Sequence, residues 1–136
     1  MSVEHQLTNI IHNMLKYPEY LTVYTDGIAE ILRRHPAQAA DLFGHICRTL
    51  MTYPTTPETS SIAGVYEPYS SAVWTDQQQK LFRYINIGGV QRLRHTTAVS
   101  NLLEDADYRS TLLESLRPLS IGLVVQQELL ADLFPE

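Results

Sequence analysis

Apolar residues return at three- and four-residue steps through most of the chain, and a proline or capping residue interrupts the pattern at nearly every break. Val3, Leu7, Ile10, Ile11, Met14 and Leu15 fall on one helical face. They predict a first helix from Val3 to about Tyr17, capped by Ser2 and stopped by Pro18. A second is predicted from Leu21 or Asp26 to His35, with Leu21, Ile28, Ile31 and Leu32 inward. Arg33, Arg34 and His35 then suit the negative end of its dipole. Pro36 fits the first turn of a third helix, Ala37 to about Thr52, which carries Ala40, Phe43, Ile46, Cys47, Leu50 and Met51 on one side.

The pattern then stops. Pro54, Pro57 and Pro68 forbid a continuous helix, so residues 54–74 are expected to form a long irregular arm. Within it, Ile62–Tyr66 and Ser71–Trp74 have the makings of a short β-hairpin. Tyr66, Tyr69 and Trp74 favour an ordered arm, because aromatic side chains pack rather than stay in water.

Thr75-Asp76-Gln77-Gln78 is a capping-box pattern that launches a fourth helix through Leu81, Phe82 and Ile85, with Gly88 expected as its left-handed terminal residue. The rival is a hairpin over 82–95 that turns at Gly88-Gly89. The helix is preferred because the capping signal and the Gln-Gln-Gln-Lys run open a strand poorly. Thr97 is expected to cap Ala98–Asp105, and Asp107 to cap Tyr108–Arg117. After Pro118, Ser120 caps a last helix from Ile121 to about Phe134, which is apolar nearly all round and so needs cover from its own domain or from a partner. The fold class that follows is all-α: a compact bundle of about six or seven short helices with one irregular arm, in a single domain over residues 1–136.

Composition changes this picture little. A chain of 136 residues with 44% hydrophobic residues can bury a core without a metal or disulfide staple. The lone Cys47 excludes an intramolecular disulfide and a cysteine-rich zinc site, and a buried, inert thiol is its default role. The polar start reads straight into an amphipathic pattern, no apolar run is long enough to span a bilayer, and a cytoplasmic address is expected. The net charge of −5 argues against wholesale nucleic-acid binding. Charge is uneven, however: Lys80, Arg83, Arg92 and Arg94 make a basic stretch ahead of an acidic last third.

Candidate chemistry is sparse. The histidines lack the spacing of a zinc protease, no serine sits in a nucleophile elbow, and Glu104, Asp105 and Asp107 read as caps. No catalytic residue, cofactor or metal is predicted. Gly88-Gly89 followed by Arg92 and Arg94 is the most suggestive local feature, since exposed N–H groups beside guanidiniums can hold a phosphate or carboxylate. A helix-turn-helix reading fails on its long turn and on the acidic residues that follow.

The leading expectation is a non-catalytic interaction protein (an adaptor, chaperone, inhibitor, assembly or regulatory component) that binds another protein. Tyr66, Tyr69, Trp74, Arg83, Arg92 and Arg94 are the candidate contact residues, because tyrosine, tryptophan and arginine dominate interface hot spots. Self-association, most simply as a homodimer through the last helix, is part of that expectation. The alternatives are a nucleic-acid or phosphate-ligand binder that uses Arg83, Arg92 and Arg94, and an enzyme of unrecognised type with residues 54–74 as a lid.

Overall fold

A computed structural model describes residues 2–52, 76–120 and 124–134. Among these residues the chain forms seven helices and no strand, so the all-α bundle stands. The expected arm, with Tyr66, Tyr69 and Trp74, lies outside the described residues.

Helix α1 (Val3–Lys16) begins where Ser2 accepts a hydrogen bond from the His5 amide at 3.1 Å, and it buries Leu7, Ile11 and Met14. Pro18–Tyr20 forms a tight 3₁₀ turn that leads directly into α2 (Leu21–Arg34). The earlier of the two predicted starts is therefore the correct one. Gly27 sits in the helix interior, and Leu21, Thr25, Ile28 and Leu32 face the core. Pro36 does not enter the next helix: residues 36–38 make a turn, and α3 runs Ala39–Met51. The backbone closes that turn through Gln38 N–H to the His35 carbonyl at 3.0 Å, before α-helical bonding starts. Helices α1, α2 and α3 pack on one another.

The largest departure from expectation is at Gly88-Gly89. Neither a left-handed terminus nor a hairpin turn forms there. Asp76–Phe82 is α-helical, Arg83–Ile87 widens into a π-helical turn, and Gly88–Arg94 is α-helical again, so the three make one continuous helix, α4. Gly88 has φ −61° and ψ −42°, ordinary right-handed values. Packing explains why the doublet does not break the helix. A Cβ at Gly88 would stand 3.6 Å from Leu21, and one at Gly89 would stand 3.8 Å from each of Leu21, Met14 and Thr25. Both glycines lie where α4 packs on α2 and α1, with room for a Cβ at ordinary contact distance, and this tertiary contact overrides their weak helix propensity.

Two short helices follow, α5 (Thr97–Leu103) and α6 (Ala106–Leu116). Thr96 rather than Thr97 flanks the first. Asp105 rather than Asp107 caps the second, accepting from the Asp107 and Tyr108 amides at 2.9 and 3.3 Å. A 3₁₀ turn over Arg117–Ser120 contains the expected break at Pro118, and α7 is described over Val124–Leu133. Helices α5 and α6 close over α3, while α7 packs on the π-helical turn and the second half of α4.

The core is continuous across the helices, with Phe43, Ile46, Leu50, Phe82, Ile85 and Leu93 fully buried at its centre. Truncating Phe43 or Phe82 to alanine would cost about 3–5 kcal/mol through lost transfer energy and a residual cavity. Most of the apolar character of α7 is used here as well: Val125, Leu129 and Leu133 are in the core, and Val124 is its exposed large apolar residue.

Two buried amides finish the end of α3. Asn86, in the π-helical turn, donates from Nδ2 to the Leu50 carbonyl at 2.7 Å. Gln126, in α7, donates from Nε2 to the Met51 carbonyl at 2.7 Å. The last carbonyls of a helix lack its regular N–H partners, and these two accept from separate elements, Leu50 also from the Thr52 N–H. Oδ1 of Asn86 is buried without a partner among the described residues.

Candidate functional site

The three candidate arginines all lie on α4, yet they do not converge. Arg83 makes a two-pronged pair with Glu128 of α7, Nε to Oε2 at 2.9 Å and Nη2 to Oε1 at 3.2 Å. Arg92 donates from Nε to Thr25 Oγ1 at 2.9 Å, and its Nη2 lies 3.6 Å from Asp26 Oδ1. Arg94 donates to the main-chain carbonyl of Asp132 at the end of α7, where a cation also favours the helix dipole. Each guanidinium ties α4 to another helix, and each already has an acceptor. Gln91 adds a further tie, donating to Asp132 Oδ1 at 2.9 Å.

Sequence reasoning missed a different group. Among the described residues, the exposed large apolar side chains are Tyr17, Tyr20, Val23, Tyr84 and Val124. Tyr17, Tyr20 and Val23 follow three-residue steps across the 3₁₀ turn into α2, at 44%, 54% and 64% exposure. Between them Leu21 is buried, and it packs where Gly88 presents no side chain. Tyr84, 51% exposed, stands in the π-helical turn just before that glycine. The available signal was a pair of tyrosines flanking a helix-breaking proline, at positions where a purely structural turn would be polar.

One arrangement has the outward form of a hydrolytic triad. Thr8 Oγ1 lies 2.7 Å from His45 Nε2, and His45 Nδ1 lies 3.8 Å from Glu4 Oε1. The hydroxyl proton of Thr8 is committed to the Glu4 carbonyl at 3.0 Å, so the imidazole must supply an Nε2–H to Thr8 rather than accept a proton from it. Thr8 also sits inside α1, where the backbone N–H groups are used by the helix and no oxyanion site is at hand. The contact is a brace between α1 and α3. Burial holds the His45 imidazole below its ordinary value against the opposing pull of Glu4, with Arg48 adding to the lowering.

Cys47 is buried, and desolvation pushes its thiol up to about 12, far from the reactive range. Tyr108 donates to the Ala40 carbonyl at 2.8 Å, and burial above all raises its phenol. No group of three or more metal-ligating side chains comes together among the described residues. No described helix is long and apolar enough to cross a membrane.

The surface hollows lined by described residues include two between helices. One, about 210 Å³, is lined by Asp26, Ala29, Glu30, Arg33, Thr96, Thr97 and Ala98. Its Glu30 carboxylate is held down at about 2 by hydrogen bonds from Arg33 and Arg34, which leaves it spoken for. The other, about 380 Å³, lies between α5, α6 and the end of α7, and is lined by Arg94, Leu103, Ala106, Arg109, Ser110, Leu113, Leu133 and Phe134. The sequence matches no protein-family model, no curated protein and no solved structure.

Proposed function

We propose that this chain is a non-catalytic interaction module that binds another protein through its helix faces. The observation that carries the reading is the exposed run of Tyr17, Tyr20 and Val23, with Tyr84 exposed on α4. Tyrosine gives a large, stiff contact area with a polar tip and loses little entropy on binding, which is why it recurs in interface hot spots. The pairing of Arg83 with Glu128 and of Arg92 with Thr25, together with the dispersal of the three arginines along α4, supports this reading over the phosphate-binding one, since a phosphate bridging them would have to displace those partners. A homodimer through α7 would have Val124 as its large exposed anchor among the described residues.

The test compares the wild-type chain with a Tyr20→Ser, Tyr84→Ser variant in capture from host extract, after circular dichroism shows both folded. Loss of the same specific proteins with the variant supports the reading. Identical capture by both chains counts against it, as does tight duplex or single-strand DNA binding that weakens steeply with salt.

A further inference from the structure

We propose that the hollow between α5, α6 and the end of α7 is a docking groove for an acidic amphipathic helix of another protein. It is a surface distinct from the tyrosine run, and it stands or falls separately. The groove combines an apolar floor with two cations and no carboxylate among its lining residues. Leu103, Leu113 and Phe134 are half-buried along it, and Leu133 closes its base. The Arg109 side chain is exposed and makes no hydrogen bond or ion pair among the described residues. Arg94 is held by the Asp132 carbonyl through one Nη, which fixes its position and leaves the rest of the fork free to donate.

Charge decides the sign of the occupant. On a chain of net charge −5, a locally positive groove attracts an acidic surface and repels a basic one. Shape decides its class. At about 380 Å³ the hollow falls in the lower range of ligand pockets, but it is only half enclosed and runs between helices. Helices form its walls, and a leucine-class stripe from a partner helix would cover the apolar floor while its flanking carboxylates reach Arg94 and Arg109. The apolar contact supplies most of the affinity, and the two guanidiniums set orientation and selectivity.

The probe is a fluorescein-labelled helical peptide of about 15 residues, with leucines on one face and glutamates beside them, read by fluorescence anisotropy against the full chain. A control peptide carries lysines in place of the glutamates. Expected are binding of the glutamate peptide, weakening with added salt, and little binding of the lysine peptide. Arg109→Glu should weaken capture about tenfold with its melting temperature unchanged, since that side chain has no partner among the described residues. Leu113→Ala should weaken it as well. Equal binding of both peptides, or binding indifferent to Arg109→Glu, overturns the proposal. Full displacement of the peptide by dodecanoate assigns the groove to small amphiphiles instead. A wild-type dimer that Arg109→Glu dissociates assigns it to a second copy of the chain.

Discussion

The side-chain amide of Gln126 donates to the carbonyl of Met51 across 75 residues of sequence, at 2.7 Å and out of contact with solvent. A glutamine in the middle of an apolar helix looks like a flaw in its buried face. Its place at the end of α3 shows it to be the partner of a carbonyl in the last turn of that helix, where intrahelical N–H groups run out.

Replacing Gln126 with leucine keeps the volume and removes the donor. The Met51 carbonyl then loses that buried hydrogen bond, so the variant should lose about 1–3 kcal/mol in urea unfolding. A loss below the error of the extrapolation would show that water takes the place of the amide.

The His45 brace makes stability depend on pH in a definite direction. Its folded value lies below the ordinary 6.5, so between the two the unfolded chain binds more protons than the folded one. The stability contributed by a neutral imidazole is present above pH 6.5 and falls as pH drops through that window. His45→Gln retains an N–H for Thr8 and removes the titration, so its stability should decline less than that of the wild type on acidification below pH 6.5. Parallel curves would refute the assignment.

Gly27 offers a gain. A Cβ there would meet nothing within 4 Å, and the residue lies inside α2. Gly27→Ala should therefore stabilise the protein by about 0.5–1 kcal/mol, read as a higher urea midpoint with an unchanged slope.

Cys47 should resist an aromatic disulfide reagent at pH 8 in the native state and react fully once urea unfolds the chain. Burial and a thiol raised to about 12 both suppress the thiolate. Rapid labelling of the folded protein would show that α3 opens locally.

Much of the fold was legible because its signals are local. Ser2, Pro18 and the spacing of Leu7, Ile11 and Met14 act within a turn or two of the residues they govern. Gly88-Gly89 was misread because the decisive contacts come from Met14, Leu21 and Thr25, more than 60 residues earlier, and local propensity carries no trace of them. The cap at Asp105 was displaced by two residues in a run where Asp105 and Asp107 look equally suited to it. Function was harder to read for the same reason. Arg83, Arg92 and Arg94 form a basic cluster in one dimension, but Glu128, Asp26 and Asp132 disperse it in three. The groove drew Arg94 together with Arg109, a residue that nothing in its neighbourhood of sequence singles out.

The borrowed amides at the end of α3 also set a timetable. During synthesis α1, α2 and α3 leave the ribosome complete in length, but the amide that bonds the Met51 carbonyl lies 75 residues downstream. At about 5–20 residues per second, that delay is about 4–15 s. Helix–coil and collapse events take about 0.1–100 μs, so α3 has ample time to form before the two amides that bond its last carbonyls are synthesised. Ribosome pauses placed before α7 would lengthen that interval, and faster translation through the same stretch would shorten it.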